Sequence, residues 1–165
     1  MSYFIILRGP AGVGKTTVAK KLTQLLGGYH ISLDTILAKH NLDYVPGNRC
    51  VPEQNTLTVN KLIIPMAQEK LKEGTVVIFD GNFYHKSQIE DLINKLKFPH
   101  FIFTLQADVE TCIARNNMRD NSLDEKEVKN VFELVSTFEC GDVINSNDQT
   151  IDESILTILK KIEQP

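Results

Sequence analysis

The sequence predicts an α/β fold: a parallel sheet covered by helices on both faces. Three observations carry this expectation. Short apolar runs such as "YFIIL" and "TVVIF" alternate with stretches of helical periodicity along the whole chain. A glycine-rich turn joins the first apolar run directly to the first helical stretch. The chain has 165 residues, 42% hydrophobic and 24% charged, which suits one domain around one substantial core.

In order, Tyr3 to Leu7 is the first strand, and a helix follows from Lys15 with Val18, Leu22 and Leu25 on one face. Gly27-Gly28 stops it, and "YHIS" (Tyr29 to Ser32) is the second strand. A short helix starts near Leu33, and residues 41–52 form a Pro/Gly-bearing loop. A long helix covers Glu53 to Glu73, in which Pro65 must start a turn or kink, and Gly74 ends it. The β-branched "TVVIF" is the third strand. Ile89, Leu92, Ile93 and Leu96 mark the next helix. "HFIFTL" is the fourth strand, with a helix from about Asp108. Ser122 to Glu125 and Thr150 to Glu153 match capping boxes that open two more helices, with a weak fifth strand, "DVINS", between them. No repeat, low-complexity tract or linker interrupts this single domain.

Residues 9–16 match G-x-x-x-x-G-K-[ST] between a strand and a helix start. A polyanion needs several backbone N–H groups pointing inward, and glycine lets the chain curl without Cβ clashes. The helix start adds unpaired N–H groups and a positive dipole end. Gly9, Pro10, Ala11, Gly12, Val13, Gly14, Lys15, Thr16 and Thr17 are therefore expected to hold a nucleoside triphosphate. Lys15 should reach the β- and γ-phosphates, and the Thr16 hydroxyl should serve magnesium.

Ligands of such sheets gather beyond the carboxyl ends of the strands. Asp34 follows the second strand there. It is either an acceptor-side carboxylate, able to orient or deprotonate a hydroxyl, or an N-cap of the short helix. Asp80 ends "VVIF" and is a candidate to hold magnesium or contact the acceptor; a turn-forming role is the alternative. Gly81 would let that turn approach a ligand, and Asn82 would bond to the ligand or cap the next helix. Arg115 and Arg119 lie four apart at a helix end before a polar run. That spacing suits a lid over phosphates, or simply cations placed at a helix C-terminus.

In their order, "GPAGVGKTT", "ISLDTIL", "VVIFDGNF", "ARNNMRD" and "VINSNDQTIDES" resemble the small P-loop kinases. This group includes shikimate kinase, gluconate kinase, chloramphenicol phosphotransferase, polynucleotide kinase and the nucleoside monophosphate kinases. The resemblance implies a five-stranded sheet in the order 2-3-1-4-5 and a magnesium-ATP donor. It implies catalytic roles for Lys15, Asp34 and Arg119, stacking of Arg115 on adenine, and an adenine-side loop near Asn145 to Asn147. It also implies an acceptor-binding insertion at about 35–73 and a lid at about 116–123. "DGNFYH" lacks the arginine that follows the third strand in adenylate kinases, which favours an acceptor hydroxyl over an acceptor phosphate. Asp34, Arg49, Asp80 and Asn82 are the acceptor-side candidates, Arg49 because its Pro/Gly-rich loop suits anion capture.

The expected activity is transfer of the γ-phosphate of Mg-ATP to a hydroxyl of a small molecule. The alternatives are a nucleoside monophosphate kinase, a polynucleotide 5′-hydroxyl kinase, or a nucleotide-dependent switch or binding module. No Asn-Lys-x-Asp run supports a guanine-selecting switch. A net charge of −3 gives no global pull on nucleic acid or anionic membrane. Three scattered cysteines and four histidines show neither disulfide nor zinc spacing. With no signal peptide or membrane-length apolar run, the expectation is a cytoplasmic monomer or small homo-oligomer acting on a small-molecule acceptor.

Overall fold

The computed structural model describes residues 1–164. Five strands, β1 (Phe4–Arg8), β2 (Tyr29–Ser32), β3 (Val77–Gly81), β4 (His100–Gln106) and β5 (Asp142–Asn145), form one sheet in the order β2-β3-β1-β4-β5. Every neighbouring pair is parallel. The helices are α1 (Lys15–Leu26), α2 (Leu33–Lys39), α3 (Glu53–Lys72), α4 (Lys86–Leu96), α5 (Val109–Asn117), α6 (Glu125–Val135) and α7 (Ile151–Glu163).

Period-two alternation in β1 builds the two cores. Phe4 and Ile6 face one way, among Val59, Ile63 and Leu71 of α3 and Leu92 of α4. Ile5 and Leu7 face the other, among Val18 and Leu22 of α1, Val128 of α6 and Ile155 and Ile158 of α7. The sheet is thus sealed on both sides, and ligands are left the carboxyl ends of the strands.

The element expectations hold with four local corrections. Leu25 is 64% exposed, because the buried stripe of α1 runs through Val18, Ala19 and Leu22 toward Leu26 and leaves Leu25 at its edge. The third strand is displaced to Val77–Gly81, so Asp80 and Gly81 end the strand itself. Pro65 lies inside α3 on its exposed side, where it removes one ladder hydrogen bond without ending the helix. The helix expected to open at Ser122 instead opens two residues later. Asp124 is its N-cap, with a complete capping box to Glu127. The box at Thr150 and Glu153 forms as expected. No helix among the described residues is long and apolar enough to cross a membrane.

Candidate functional site

The turn between β1 and α1 is shaped by two glycines above all. Gly12 has φ of +82°, and a Cβ there would lie 2.2 Å from the Cys112 carbonyl oxygen of α5. Gly14, the N-cap of α1, has φ of +104°. Side chains at these positions would strain the turn or force α5 away. No side chain caps α1, and its first turn carries no acid, so its leading N–H groups remain available to an anion.

Lys15 is buried at the floor of this turn, and its Nζ donates to the Pro10 carbonyl at 3.1 Å. Burial pulls its ammonium below the usual lysine range, while Asp34 and Asp80 act to raise it and Arg119 to lower it. These four groups therefore share one electrostatic neighbourhood. They come from four separate segments: the β1–α1 turn, α2, β3 and the α5–α6 connection.

A cleft of about 520 Å³ opens above the turn. Its lining includes Gly12, Lys15, Thr16, Thr17, Arg115 and Arg119, along with residues of the β5–α7 segment. Arg115 bridges the cleft walls. Its guanidinium donates to the Val13 carbonyl at 3.3 Å and to Ser146 at Oγ (3.1 Å) and at the carbonyl (2.6 Å). Of the expected adenine-side segment, Ser146 lines the cleft, while Asn145 and Asn147 are engaged elsewhere. Asn147 accepts from the Asp108 N–H, donates to the Asp108 carboxylate, and takes Asn145 Oδ1 on its own N–H.

Asp34 is the second residue of α2, and Ser32 is the N-cap, so the capping alternative does not apply. The Asp34 residue keeps a face open to water, yet neighbouring protein atoms crowd its carboxyl. That desolvation raises its carboxyl above the ordinary range; Lys15 opposes the rise, Asp80 adds to it, Arg119 opposes it and Asp43 adds to it.

Asp80 is buried, and its Oδ2 meets His30 Nε2 at 2.6 Å. The Gly81 Cα abuts Leu33 of α2, 3.1 Å from where a Cβ would sit, so this glycine admits a helix rather than a ligand. Asn82 does not cap α4, whose N-cap is His85. Its Nδ2 donates instead to Tyr84 Oη at 2.8 Å. Burial raises the Tyr84 phenol far above its usual range, the Asn82 bond lowers it, and Asp34 and Cys50 raise it further. Tyr84 thus stays a neutral donor near Asp34.

Arg49 departs from expectation. Its Nε donates to Asn130 Oδ1 at 2.8 Å and its NH2 group to Glu133 at 3.0 Å, while Asn130 returns a bond to the Arg49 carbonyl. The exposed guanidinium is paired with Glu133 of α6. Cys112 beneath Gly12 is buried, and its thiol is pushed up to about 11 by that burial, so it stays a small apolar filler. His30, Tyr84 and the fully buried Arg8 were not singled out from the sequence. His30 and Asp80 share a sheet face by period-two parity, but that signal appears only once β2 is known to pair with β3.

A family model described as an AAA domain matches residues 4–135. The adenylate kinases of two Thermus thermophilus strains are 40% identical over 80 residues. That match spans 47% of this chain and 42% of each relative, less than half of either. Among solved structures, a sugar kinase from Janibacter sp. HTCC2649 superposes with a TM-score of 0.77 at 15% identity, covering 99% of this chain and 95% of that one. A gluconokinase from Sinorhizobium meliloti 1021 gives 0.64 at 11% identity, covering 96% and 94%. At such identities these are likenesses of fold, and the fold is that of the small P-loop kinases the motifs resemble. With the glycine turn at the end of β1 and the family match covering most of the chain, this protein belongs to the AAA-domain family.

Proposed function

We propose that this protein is a phosphotransferase that moves the γ-phosphate of Mg-ATP to a hydroxyl of a small molecule. The observation that carries the reading is Asp34. It caps no helix, yet it shares the electrostatic neighbourhood of Lys15 and Arg119 at the open end of the sheet. Kinase-named relatives by sequence and by fold support the reaction class.

The chain's own groups divide the work. The glycine turn and the α1 N-terminus bind the phosphates, and Arg115 forms a wall of the nucleotide cleft. Lys15 and Arg119 face the negative charge that develops during transfer. Asp34 orients the acceptor hydroxyl and takes its proton. Asn82 and Tyr84 supply neutral donors beside it. The segments 35–73 and 116–123 serve as acceptor-binding insertion and lid.

Magnesium fits the residues present. The Thr16 hydroxyl lies in the first turn of α1, and the Asp80 charge is felt at Lys15. The described residues hold no cluster of three His, Cys, Asp or Glu that could cage a metal. One hydroxyl and one carboxylate suit an ion that keeps its waters and shares the substrate's phosphates. When bound, it would neutralise charge on the β- and γ-phosphate oxygens. Three free cysteines support a reducing, cytoplasmic setting.

The adenylate kinase similarity favours a second reading, with a nucleoside monophosphate as acceptor. Incubation with γ-labelled ATP and panels of sugars, nucleosides, nucleoside monophosphates and oligonucleotides separates the two. Label on a neutral hydroxyl compound supports the proposal; label only on a nucleoside monophosphate overturns it in favour of the second reading.

A further inference from the structure

Asp80 ends β3 with 1% of its surface exposed, where an ionised carboxylate needs partners. His30 supplies one, its Nε2 lying 2.6 Å from Asp80 Oδ2 with 18% of the ring side chain exposed. The sheet register produces this contact. In the parallel β2–β3 ladder His30 stands beside Ile78 and Ser32 beside Asp80. His30 and Asp80 therefore share a face, one ladder step of two residues apart. The Asp80 charge is also felt at Lys15. The imidazole also lines a cavity of about 340 Å³ together with Thr16, Ser32 and Thr35. One wall of that cavity thus carries the threonine assigned to magnesium, and another carries the ring that grips the buried carboxylate.

We propose that His30 is the positioning residue of the magnesium corner. By donating to Oδ2 it fixes the rotation of the Asp80 carboxylate and leaves Oδ1 for the metal or a water on it. The cavity beside Thr16 gives room for the metal's waters. The inference deepens the phosphotransferase reading and rests on it for the identity of the metal and nucleotide. A carboxylate with neither oxygen held must be ordered when the ion arrives, whereas one already tethered through Oδ2 is presented at a single angle. Partners of this outer kind alter metal affinity by roughly 10- to 100-fold. A histidine that merely fills space between β2 and the start of α1 would leave metal affinity unchanged.

The test is calorimetric titration of ADP into the full chain, in EDTA and across a magnesium series, for wild type, His30→Ala and His30→Gln. Melting temperatures are recorded in parallel. The glutamine amide can still donate to Asp80; alanine cannot. The expected result is unchanged ADP affinity in EDTA for all three proteins. His30→Ala should need about tenfold or more magnesium to tighten ADP binding, with His30→Gln in between. If His30→Ala does not fold, His30→Leu, which fills the space but cannot donate, takes its place. Wild-type magnesium midpoints in both variants, whatever their melting temperatures, make His30 a packing residue and overturn the inference alone. Wild-type ADP binding that ignores magnesium removes the metal corner itself, and the inference falls with that part of the proposed function.

Discussion

Lys15 and Asp34 are opposite charges that feel one another, and burial works against both. Lys15 lies below its ordinary range and Asp34 above it. For Asp34 the folded chain binds the proton more tightly than the unfolded chain does. Stability therefore falls as pH rises from the unfolded value near 3.8 through the raised folded value. At neutral pH an ionised Asp34 weighs against the fold, an effect moderated by the water at the cleft mouth. Asp34→Asn should accordingly melt at the same temperature as wild type or higher; a clearly lower melting temperature contradicts this electrostatic picture. In catalysis the same shift moves the acid limb of kcat/KM above the ordinary aspartate pKa of about 4, and Asp34→Asn should abolish that limb. A pH–rate profile of both proteins checks it. For Lys15→Ala, phosphotransfer should fall ~10²-fold or more with the fold retained. Full activity at unchanged ATP affinity in that variant would remove the role assigned to the glycine turn.

Elements with a single consistent signal were legible in the sequence, and those with two competing signals were not. β2, α2 and the Thr150 box stand where they were expected, because strand composition, stop residues and capping chemistry agree there. The start of α6 was expected at Ser122 with Glu125, and the structure uses Asp124 with Glu127, the second of two overlapping boxes. The second wins through a tertiary contact that the sequence does not display. The Asn116 side chain accepts from the Leu123 N–H at 3.2 Å and donates to the Leu123 carbonyl at 2.8 Å. Leu123 is thereby pinned to the end of α5, and α6 starts just beyond it. Asp124→Ala should cost about 1 kcal/mol in chemical denaturation, with Ser122→Ala nearly silent. The reverse order would restore the Ser122 start. Asn116 is itself buried, so Asn116→Ala should cost about 1–3 kcal/mol and speed proteolysis across 117–123. Unchanged cleavage would mean that Asn116 does not hold the segment between α5 and α6.

At the scale of the molecule, two arginines tie the outer segments of the site to its frame. Arg8, the residue before Gly9, is fully buried, and burial lowers its guanidinium. It donates to the Val135 carbonyl at 2.8 Å and the Phe138 carbonyl at 3.2 Å, and it lies 4.2 Å from the Phe138 ring centroid. The end of α6 is thus fastened to the strand that leads into the glycine turn. Arg49 fastens the 41–52 loop to the exposed side of the same helix. Neither link was legible: a buried arginine in an apolar strand and a loop arginine among prolines both depend on what packs against them. The glycine turn between β1 and α1 was legible because its signal is local, glycines followed by Lys15 and Thr16 at a helix start. The contacts of His30 with Asp80 and of Tyr84 with Asn82 depend on how segments pack, which is why these two residues emerged only from the structure.

The central claim is that Asp34 serves an acceptor hydroxyl, and the most direct measurement is steady-state transfer from γ-labelled ATP by wild type and Asp34→Asn. The acceptor is whichever compound the panel identifies. Turnover should drop ~10²-fold or more while the KM for ATP changes little, because the variant keeps the shape but not the charge that takes the proton. Near-normal turnover in Asp34→Asn, with a nucleoside monophosphate as the labelled product's precursor, would contradict the claim.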